Sequence, residues 1–214
     1  MIPTLVLSCD SHRYLWPGFL HYWRMHAPTD LGRVCIATDK RPRVIVDEPL
    51  IITRRTESWT DHVRAAVEMF GEPWFLLMLE DFWIDERTKD IPWQEAIAFS
   101  QRVNLPVGLH GDYRAYVHRD KVQSIGHLFA RQFAPHSPYQ TSLQPTIWER
   151  DQFLSLLADG ENPWEFEIIG SRRASAANVC RWRLDVDWYT HCVKRGRWLP
   201  QGEALENERV RATA

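Results

Sequence analysis

The feature that most constrains the fold is an unbroken run of six apolar residues, Trp74–Leu79, followed at once by Glu80 and Asp81. An apolar run of this length, entered through a Gly-Glu-Pro turn, predicts a strand buried on both faces of a sheet. The two carboxylates cannot lie within such a strand, because an unpaired buried carboxylate is very costly. They are expected where the strand leaves the sheet, at the edge where open α/β sheets bind ligands. Position alone leaves a second role equally open, in which the two acids cap a turn or pair with arginines.

The segments before this run alternate between strand and helix patterns. A short apolar and β-branched run at Thr4–Ser8 and an apolar run at Val34–Ala37 predict two strands, with a helix between them over residues 17–26. A second helix is expected to be capped by Ser58 or Thr60. The order strand, helix, strand, helix, strand predicts an α/β fold with a parallel sheet covered by helices. Elsewhere we predict strands at 44–46, 50–52, 105–109, 115–117 and 125–129, helices at 92–102 and 148–157, and a strand or short helix at 186–193.

Length and composition narrow the class of protein. The 214 residues suit one domain, expected at 1–200, with a charged tail at 201–214. The formal net charge of −2 argues against a nucleic-acid partner bound by bulk electrostatics. Four scattered cysteines indicate buried thiols in a reducing compartment. Because no signal peptide is visible and no apolar run approaches the ~20 residues of a transmembrane segment, we expect a cytoplasmic protein.

Several familiar catalytic motifs are missing from the sequence. There is no Gly-x-Gly-x-x-Gly after the first strand and no Walker loop, which argues against dinucleotide oxidoreduction and P-loop phosphoryl transfer. No Gly-x-Ser-x-Gly elbow of an α/β-hydrolase is present. The nine histidines show no metal-ligand spacing, so each is interpreted as a surface or hydrogen-bonded residue.

Acidic residues follow each of the three predicted long strands. Asp10 follows the first, Asp39 the second, and Glu80 with Asp81 the third. If these strands are parallel neighbours, all the acids reach the same edge of the sheet. Such a cluster suits a hard divalent cation together with a ligand that supplies phosphates. The alternative for Asp10 and Asp39 is turn capping, the common fate of an isolated Asp after a strand.

A separate acidic feature is the segment Trp164-Glu165-Phe166-Glu167, in which carboxylates alternate with aromatic residues. A carboxylate packed against a ring is partly desolvated, which raises its pKa toward the range useful for a general base. The alternative is an amphipathic turn with both acids in water, which the spacing alone slightly favours.

Four segments together resemble a group of bacterial sugar transferases, the nucleotide-sugar glycosyltransferases of the GT-A type related to lipopolysaccharide and capsule synthesis. They are Leu5–Asp10, Leu77–Phe82, Ser142–Trp148 and Asn162–Glu167. The similarity touches most of the chain, up to about Trp198. It implies a single GT-A-like (Rossmann-like) domain with a mostly parallel central sheet flanked by helices.

The resemblance implies that Glu80 and Asp81 hold Mn²⁺ or Mg²⁺ on the donor diphosphate. Adjacent residues depart from the usual Asp-x-Asp spacing, because on an extended strand they point to opposite sides. One alternative is that only Asp81 reaches the metal, with Asp85 or water completing the shell, and a metal-independent mechanism also stays open. For the acceptor base, the resemblance makes Glu165 the first candidate and Glu167 the second.

The resemblance also implies a set of donor-binding residues. They are Ser8, Cys9 and Asp10 beside the nucleobase, Thr38 and Asp39 in the same pocket, Ser58 and Trp59 near its rim, Gln144 and Trp148 facing the donor or acceptor sugar, and Trp164.

The predicted function is transfer of a sugar from a nucleoside-diphosphate donor to a hydroxyl of a glycan or lipid-linked acceptor, in surface polysaccharide or related glycan synthesis. The expected location is the cytoplasm, or the periphery of the inner membrane. A non-catalytic nucleotide- or glycan-binding protein on the same fold is the main alternative. A nucleotidyltransferase is a third hypothesis, against which counts the lack of a glycine-rich, lysine- or arginine-bearing loop after the first strand.

Overall fold

The computed structural model describes residues 1–42, 46–54, 57–111 and 117–213. Its strands are β1 (Ile2–Leu7), β2 (Leu31–Thr38), β3 (Leu50–Ile52), β4 (Trp74–Leu79), β5 (Phe82–Ile84), β6 (Val107–Leu109), β7 (Val117–Ile125), β8 (Leu128–Phe133), β9 (Thr146–Glu149), β10 (Trp182–Leu184), β11 (Tyr189–His191), β12 (Val193–Lys194) and β13 (Arg197–Trp198). Its α-helices are α1 (Trp16–His26), α2 (Trp59–Phe70), α3 (Trp93–Val103), α4 (Arg150–Ser155), α5 (Pro163–Glu165), α6 (Ser171–Ala176) and α7 (Pro200–Thr213). Short 3₁₀ helices cover Asp10–Leu15 and Glu86–Asp90, and a π-helical turn covers Phe166–Gly170.

One large sheet forms the centre of the protein, with the strand order β3-β2-β1-β4-β9-β6-β10-β8-β7. Strands β8 and β9 are antiparallel to the other seven strands, so the sheet is mostly parallel. This confirms the predicted α/β class. The chain leaves β1 toward β2 and β3 on one side and later returns to β4 on the other. This reversal is a topological switch point, where a crevice opens beyond the carboxyl ends of β1 and β4.

Strand β4 has the burial that its sequence predicts. It pairs in parallel with β1 and antiparallel with β9. Phe75 and Leu77 pack on one face of the sheet with residues of α2, whereas Leu76 and Met78 pack on the other face with residues of α1 and α3. All four side chains are 0% exposed. The strand ends directly before Glu80, so the carboxylates lie at the sheet edge as predicted.

Local sequence signals account for helix α2. Ser58 is its N-cap, and the Ser58 hydroxyl accepts a hydrogen bond from the backbone N–H of Asp61, which confirms the predicted cap. Gly71 ends the helix with a φ of 74°, a left-handed conformation that favours glycine. Val63 and Val67, one helical turn apart, pack on the sheet. The cap and the apolar stripe together seat α2 over the parallel strands.

The predicted helix at 148–157 differs from the structure. Thr146–Glu149 forms β9, and the helix covers only Arg150–Ser155. Strand β9 lies between β4 and β6, where both neighbours satisfy its backbone groups. This long-range pairing overrides the local helical spacing, as happens often for half-buried segments.

The remaining predictions agree with the structure to different degrees. Strand 50–52 and helix 92–102 appear as β3 and α3, and the strand at 105–109 is shortened to β6. The segment 125–129 spans the turn between β7 and β8, where Gly126 has a φ of 55°. The segment 186–193, predicted as a strand or a short helix, contains β11 and the start of β12. Residues 43–45 and 112–116 lie outside the described part of the chain, so the strands predicted at 44–46 and 115–117 are described only at their last residues.

The charged segment after residue 200 forms a packed helix, α7. A Cβ at Gly202 would come within 2.5 Å of the Cys192 backbone, so this turn approaches the preceding strand closely. The hydroxyl of Tyr22 in α1 donates a hydrogen bond to the carbonyl of Leu205 at 2.9 Å. Among the described residues, no helix combines the length and the apolar character needed to cross a membrane.

Candidate functional site

A cavity of about 480 Å³ opens at the carboxyl ends of β1 and β4, at the switch point of the sheet. The first turn of α2 and two later segments, around Pro163 and His191, complete its walls. The polar and aromatic side chains that line it are Ser8, Cys9, His12, Trp59, His62, Glu80, Asp81, Phe82, Gln144, Trp164, Glu167, His191, Lys194 and Arg195.

Glu80 is a buried member of this lining and is 5% exposed. Its Oε1 lies 2.6 Å from Nδ1 of His12. Burial raises the pKa of the Glu80 carboxyl, and the hydrogen bond with His12 opposes that shift. The indole N–H of Trp83 donates to the backbone carbonyl of Glu80 at 3.0 Å. Glu80 therefore acts as a fixed counter-ion for His12.

Cys9 is the N-cap residue of the 3₁₀ helix that follows β1, and His12 lies within this helix. Hydrogen bonds with Cys9 and Glu80 raise the pKa of His12 to about 10, despite burial. Burial raises the pKa of the Cys9 thiol, but hydrogen bonds with His12 and Ser11 outweigh it, and the pKa lies below its ordinary value. The end of β1 thus joins a thiol, an imidazole and a carboxylate in one chain of contacts.

Asp81 contacts a different histidine from its neighbour Glu80. Its Oδ2 lies 3.0 Å from Nε2 of His191, and its Oδ1 is buried without a hydrogen-bond partner among the described residues. A carboxylate with a spare oxygen beside an imidazole fits a divalent cation. Within the described ranges, no group of three or more His, Cys, Asp or Glu could hold a metal. A cation here would have two protein ligands, Asp81 and His191, and would depend on a bound phosphate for others.

The two candidate bases have different environments. Glu165 Oε2 accepts a hydrogen bond from the backbone N–H of Asn162 at 2.9 Å, and the Asn162 side chain accepts one from the Glu165 N–H in return. This capping box at the start of α5 occupies Glu165, which lies outside the cavity lining. Glu167 lines the cavity, and its Oε1 accepts a hydrogen bond from the backbone N–H of Leu143 at 2.8 Å. The structure thus favours Glu167 over Glu165.

Two indole rings and an amide offer binding surface in the cavity. The Trp59 ring lies 5.5 Å, between centroids, from the buried ring of Phe166. Trp164 is 67% exposed at the cavity rim. The side chain of Gln144 accepts a hydrogen bond from the hydroxyl of Tyr189. Exposed aromatic faces of this kind suit a nucleobase or a sugar ring.

Other predicted site residues reach the same sheet edge but lie outside the cavity lining. Asp39 Oδ1 accepts a hydrogen bond from the backbone N–H of Asp10 at 2.7 Å. Asp10 Oδ1 lies 3.0 Å from the guanidinium of Arg13. Thr38 is 0% exposed, and Ser58 caps α2. The sheet brings Asp10 and Asp39 to the same edge as predicted. Their hydrogen bond and ion pair are made with residues of the loops at that edge.

Trp148 is a core residue, which corrects the prediction that it faces a sugar. It is 0% exposed, and its ring lies 5.2 Å, between centroids, from that of Phe153. Because β9 is an internal strand with both faces covered, its side chains point into packed layers on either side.

Sequence reasoning missed the cationic and imidazole side chains of the cavity. They are His12, His62, His191, Lys194 and Arg195. His62 Nε2 lies 2.9 Å from the carbonyl of Ser8, and burial lowers the pKa of His62. The position of His12 in the loop after β1 was a usable signal. The other four reach the cavity through long-range folding, which local patterns do not reveal.

The sequence matches no protein-family model, and no curated protein is significantly similar to it. A UDP-glucose pyrophosphorylase complexed with UDP-glucose is similar in structure, with a TM-score of 0.58, 11% identity, and coverage of 100% of this chain and 98% of that chain. CMP:2-keto-3-deoxy-manno-octonic acid synthetase complexed with CTP is also similar, with a TM-score of 0.56 and 14% sequence identity. The alignment covers 100% of this chain and 99% of the synthetase chain. S. aureus TarS is similar with a TM-score of 0.53 and 11% sequence identity, and the alignment covers 88% of this chain and 36% of the TarS chain. At these identities the likeness shows the fold, which nucleotidyltransferases and GT-A-type glycosyltransferases share.

Proposed function

We propose that this protein is a glycosyltransferase, which moves a sugar from a nucleoside-diphosphate donor to a hydroxyl of a glycan or lipid-linked acceptor in surface polysaccharide or related glycan synthesis. One observation carries the proposal: a single cavity at the switch point combines an available carboxylate, an acid–imidazole pair, two indole faces and a basic hairpin tip. Sugar transfer can use each of these groups: the carboxylate for the acceptor proton, the acid–imidazole pair for the diphosphate, the indole faces for the base or sugar rings, and the basic residues for the leaving-group charge.

The donor would lie between the aromatic and the basic sides of the cavity. Trp59 and Trp164 offer apolar faces on which a base or sugar ring stacks. Lys194 and Arg195, both exposed at the turn between β12 and β13, place two positive charges where a diphosphate would be bound. Among the fold neighbours, TarS structures in complex with UDP and with UDP-GlcNAc support a uridine nucleotide as the first donor to test.

Glu167 is the proposed general base. The backbone N–H of Leu143 holds its Oε1, which orients the carboxylate in the cavity. The other oxygen, Oε2, would accept the proton of the acceptor hydroxyl as that oxygen attacks the anomeric carbon. Trp164, Ile168 and Ile169, close to Glu167 in the chain, are exposed by 67%, 41% and 43%, and would meet a lipid-linked acceptor at the periphery of the inner membrane.

Asp81 and His191 would hold Mn²⁺ or Mg²⁺ in this proposal. When bound, the cation would neutralise charge that develops on the leaving diphosphate. Lys194 and Arg195 would stabilise the same charge by direct contact, with or without a metal. Glu80 would position His12, with which its Oε1 is paired.

A second candidate is nucleotidyl transfer, and one observation favours it. A pyrophosphorylase and a synthetase each align with 100% of this chain and with 98% and 99% of their own chains, respectively. Against it, the loop after β1 contains no glycine, and its basic residue Arg13 is paired with Asp10 at 3.0 Å. The products separate the two reactions, since glycosyl transfer releases a nucleoside diphosphate and nucleotidyl transfer releases pyrophosphate.

The first experiment is a thermal-shift screen of UDP, GDP, CDP, ADP and dTDP, each with and without Mn²⁺. A ligand at ~100 times its dissociation constant stabilises a fold by ~2.7 kcal/mol, which the screen detects. A shift that needs Mn²⁺ would support the metal proposal, whereas a shift without Mn²⁺ would support Lys194 and Arg195 alone. No shift with any diphosphate would contradict the proposed donor site.

Turnover is then tested with the sugar nucleotide of the preferred base. Release of the nucleoside diphosphate that increases with an added glycan acceptor supports glycosyl transfer. Pyrophosphate release from a nucleoside triphosphate and a sugar phosphate would support the second candidate. Binding with neither product would make the protein a non-catalytic nucleotide- or glycan-binding module.

A further inference from the structure

The backbone that carries Glu167 has an uncommon conformation. Glu167 lies in the π-helical turn Phe166–Gly170, between the single turn of α5 and the short helix α6. A π-helical turn is rare in proteins, and where it occurs it is often part of a functional site. Contacts from outside the helical segment are therefore expected to stabilise this turn. They come from residues 141–144, which we call the loop before β9.

Two buried hydroxyl groups hold the carbonyls of the π-helical turn. Oγ1 of Thr141 donates a hydrogen bond to the carbonyl of Phe166 at 2.7 Å. Oγ of Ser171 donates to the carbonyl of Glu167 at 2.5 Å and accepts a hydrogen bond from the backbone N–H of Thr141 at 3.3 Å. Both side chains are buried. Because a buried carbonyl that loses its partner is costly, these bonds fix the peptide groups before and after Glu167.

The same loop also holds the carboxylate of Glu167. The backbone N–H of Leu143, two residues after Thr141, donates to Glu167 Oε1 at 2.8 Å. The loop and the π-helical turn approach each other closely, since a Cβ at Gly170 would lie 3.0 Å from Oγ1 of Thr141. One loop therefore fixes both the backbone and the side chain of Glu167.

We propose that Thr141 is a positioning residue for Glu167, and that Ser171 supports it. Through the π-helical turn, the two hydroxyls set where the carboxylate of Glu167 stands relative to the acceptor hydroxyl. Neither Thr141 nor Ser171 belongs to the cavity lining, so neither is placed to touch the donor or the acceptor. The inference rests on the proposed role of Glu167 as general base, and it assigns control of that role to residues outside the cavity.

The first test removes the Thr141 hydroxyl and leaves the shape of the side chain almost unchanged. The assay measures nucleoside diphosphate release from the sugar nucleotide that the wild type turns over, with a glycan acceptor. Thr141→Val should lower kcat by about tenfold, because a general base acts only when it is well aligned with the proton it takes. UDP affinity, measured by calorimetry, should not change. Thr141→Ser restores a hydroxyl and should bring kcat back to within about twofold of the wild type.

Two results of this test would contradict the proposal. One is a kcat of Thr141→Val within about twofold of the wild-type value, since the hydroxyl would then have no effect on alignment. The other is a UDP affinity that falls in Thr141→Val as much as kcat does, since the loss would then concern donor binding.

Thr88→Val is the matched control. Thr88 is also buried, and its Oγ1 donates to the backbone carbonyl of Asp85 at 2.6 Å, but it lies outside the cavity lining. Both Thr→Val variants lose one buried hydroxyl bonded to a carbonyl, so both should lower the melting temperature by similar amounts. Thr88→Val should keep the wild-type kcat. An equal fall in kcat in Thr88→Val would assign the effect to general loss of stability and overturn the proposal.

A double-mutant cycle shows whether Thr141 acts through Glu167. Once Glu167→Gln has removed the base, its position no longer matters. The effect of Thr141→Val on the remaining rate should therefore shrink from about tenfold to less than about twofold in the Glu167→Gln background. The same fold-change in both backgrounds would mean that Thr141 acts independently of Glu167, which overturns the proposal.

A second variant keeps the test decisive if Thr141→Val does not fold. Ser171→Ala removes the hydroxyl bonded to the Glu167 carbonyl and, because alanine favours a helix, should leave α6 intact. Its kcat should fall by about threefold or more, with UDP affinity unchanged. An unchanged kcat in folded Ser171→Ala, together with an unfolded Thr141→Val, overturns the proposal.

The wild type and Glu167→Gln separate this inference from the proposed function. A wild type that transfers no sugar would overturn the proposed function, and this inference with it. Sugar transfer that Glu167→Gln abolishes, but that Thr141→Val and Ser171→Ala leave unchanged, would overturn this inference alone.

Discussion

The two sides of the cavity differ in how their polar groups are used. The strand-end wall consists of Ser8, Cys9 and His12 with Glu80. The late wall consists of Pro163, Trp164, Glu167, His191, Val193, Lys194 and Arg195. In the strand-end wall, Glu80 pairs with His12, and the Ser8 hydroxyl accepts a hydrogen bond from the Trp16 indole at 2.8 Å. In the late wall, Lys194 and Arg195 are exposed. The strand-end wall is therefore expected to govern stability, and the late wall to govern binding and turnover.

Glu167 in the late wall should give the largest effect. We expect Glu167→Gln to lower the rate of sugar transfer by about 10²- to 10⁴-fold, because the amide cannot accept the acceptor proton. UDP affinity and the melting temperature should change little. The measurement is the initial rate of nucleoside diphosphate release with a glycan acceptor. Glu165→Gln is the matched control, since Gln also supports a capping box, and it should keep most of the activity. The reverse order of the two rates would restore Glu165 as the base.

His12 tests the strand-end wall by its stability. His12→Ala should lower the free energy of unfolding by about 3 kcal/mol, because it leaves the buried Glu80 carboxylate without its partner. Glu80→Gln should cost less, since the His12 side chain left behind is 44% exposed and water can solvate it. Urea unfolding of both variants at neutral pH measures the difference. A larger loss of unfolding free energy in Glu80→Gln than in His12→Ala would contradict the view that the main cost is an unpaired buried Glu80 carboxylate.

The basic hairpin tip, Lys194 and Arg195 at the turn between β12 and β13, tests the role of the late wall in UDP affinity. Replacing Lys194 and Arg195 together with Ala should weaken UDP binding by about tenfold, at roughly 1 kcal/mol or less for each exposed charge. The loss should shrink at high salt, because exposed charges are screened. Arg197→Ala is the control, since Arg197 belongs to the same hairpin but is absent from the cavity lining. Titration calorimetry with UDP gives the affinities. Equal losses in the control would assign the effect to the net charge of the hairpin.

The same contrast explains what could be predicted from the sequence. The strand-end wall follows from local rules: a dry strand must end before Glu80, and parallel neighbours bring their carboxyl ends to one edge. The late wall depends on pairings over long sequence distances. His191 reaches Asp81 across 110 positions, and no local period indicates such a contact.

The choice between Glu165 and Glu167 shows a signal that the sequence analysis overlooked. Asn162 followed by Glu165 three positions later is the pattern of a capping box, which predicts that Glu165 caps a helix. Trp148 is the opposite case. Its neighbourhood has helical spacing, and only the pairing of β9 with β4 and β6 explains its burial. The capping role of Glu165 could have been predicted from local rules, whereas the burial of Trp148 required the sheet topology.

The pH dependence of stability should give the smallest effect and tests the strand-end wall once more. The pKa of His12 is raised from 6.5 to about 10 in the folded protein. A raised pKa means that protonated His12 stabilises the fold fully below about pH 6.5 and loses this contribution as the pH rises toward 10. The Cys9 thiol, with a lowered pKa, acts in the opposite sense up to about pH 9. Solvent also screens the half-exposed ring of His12, so the net fall in stability should be small.

The measurement is urea unfolding of the wild type and of His12→Asn from about pH 6.5, the ordinary pKa of histidine, upward. The advantage of the wild type over His12→Asn should shrink steadily toward pH 10. An advantage that stays constant over this range would mean that His12 contributes through packing and neutral hydrogen bonds. His12 would then be uncharged in the strand-end wall. The difference in charge between the two walls would come from Lys194 and Arg195 alone.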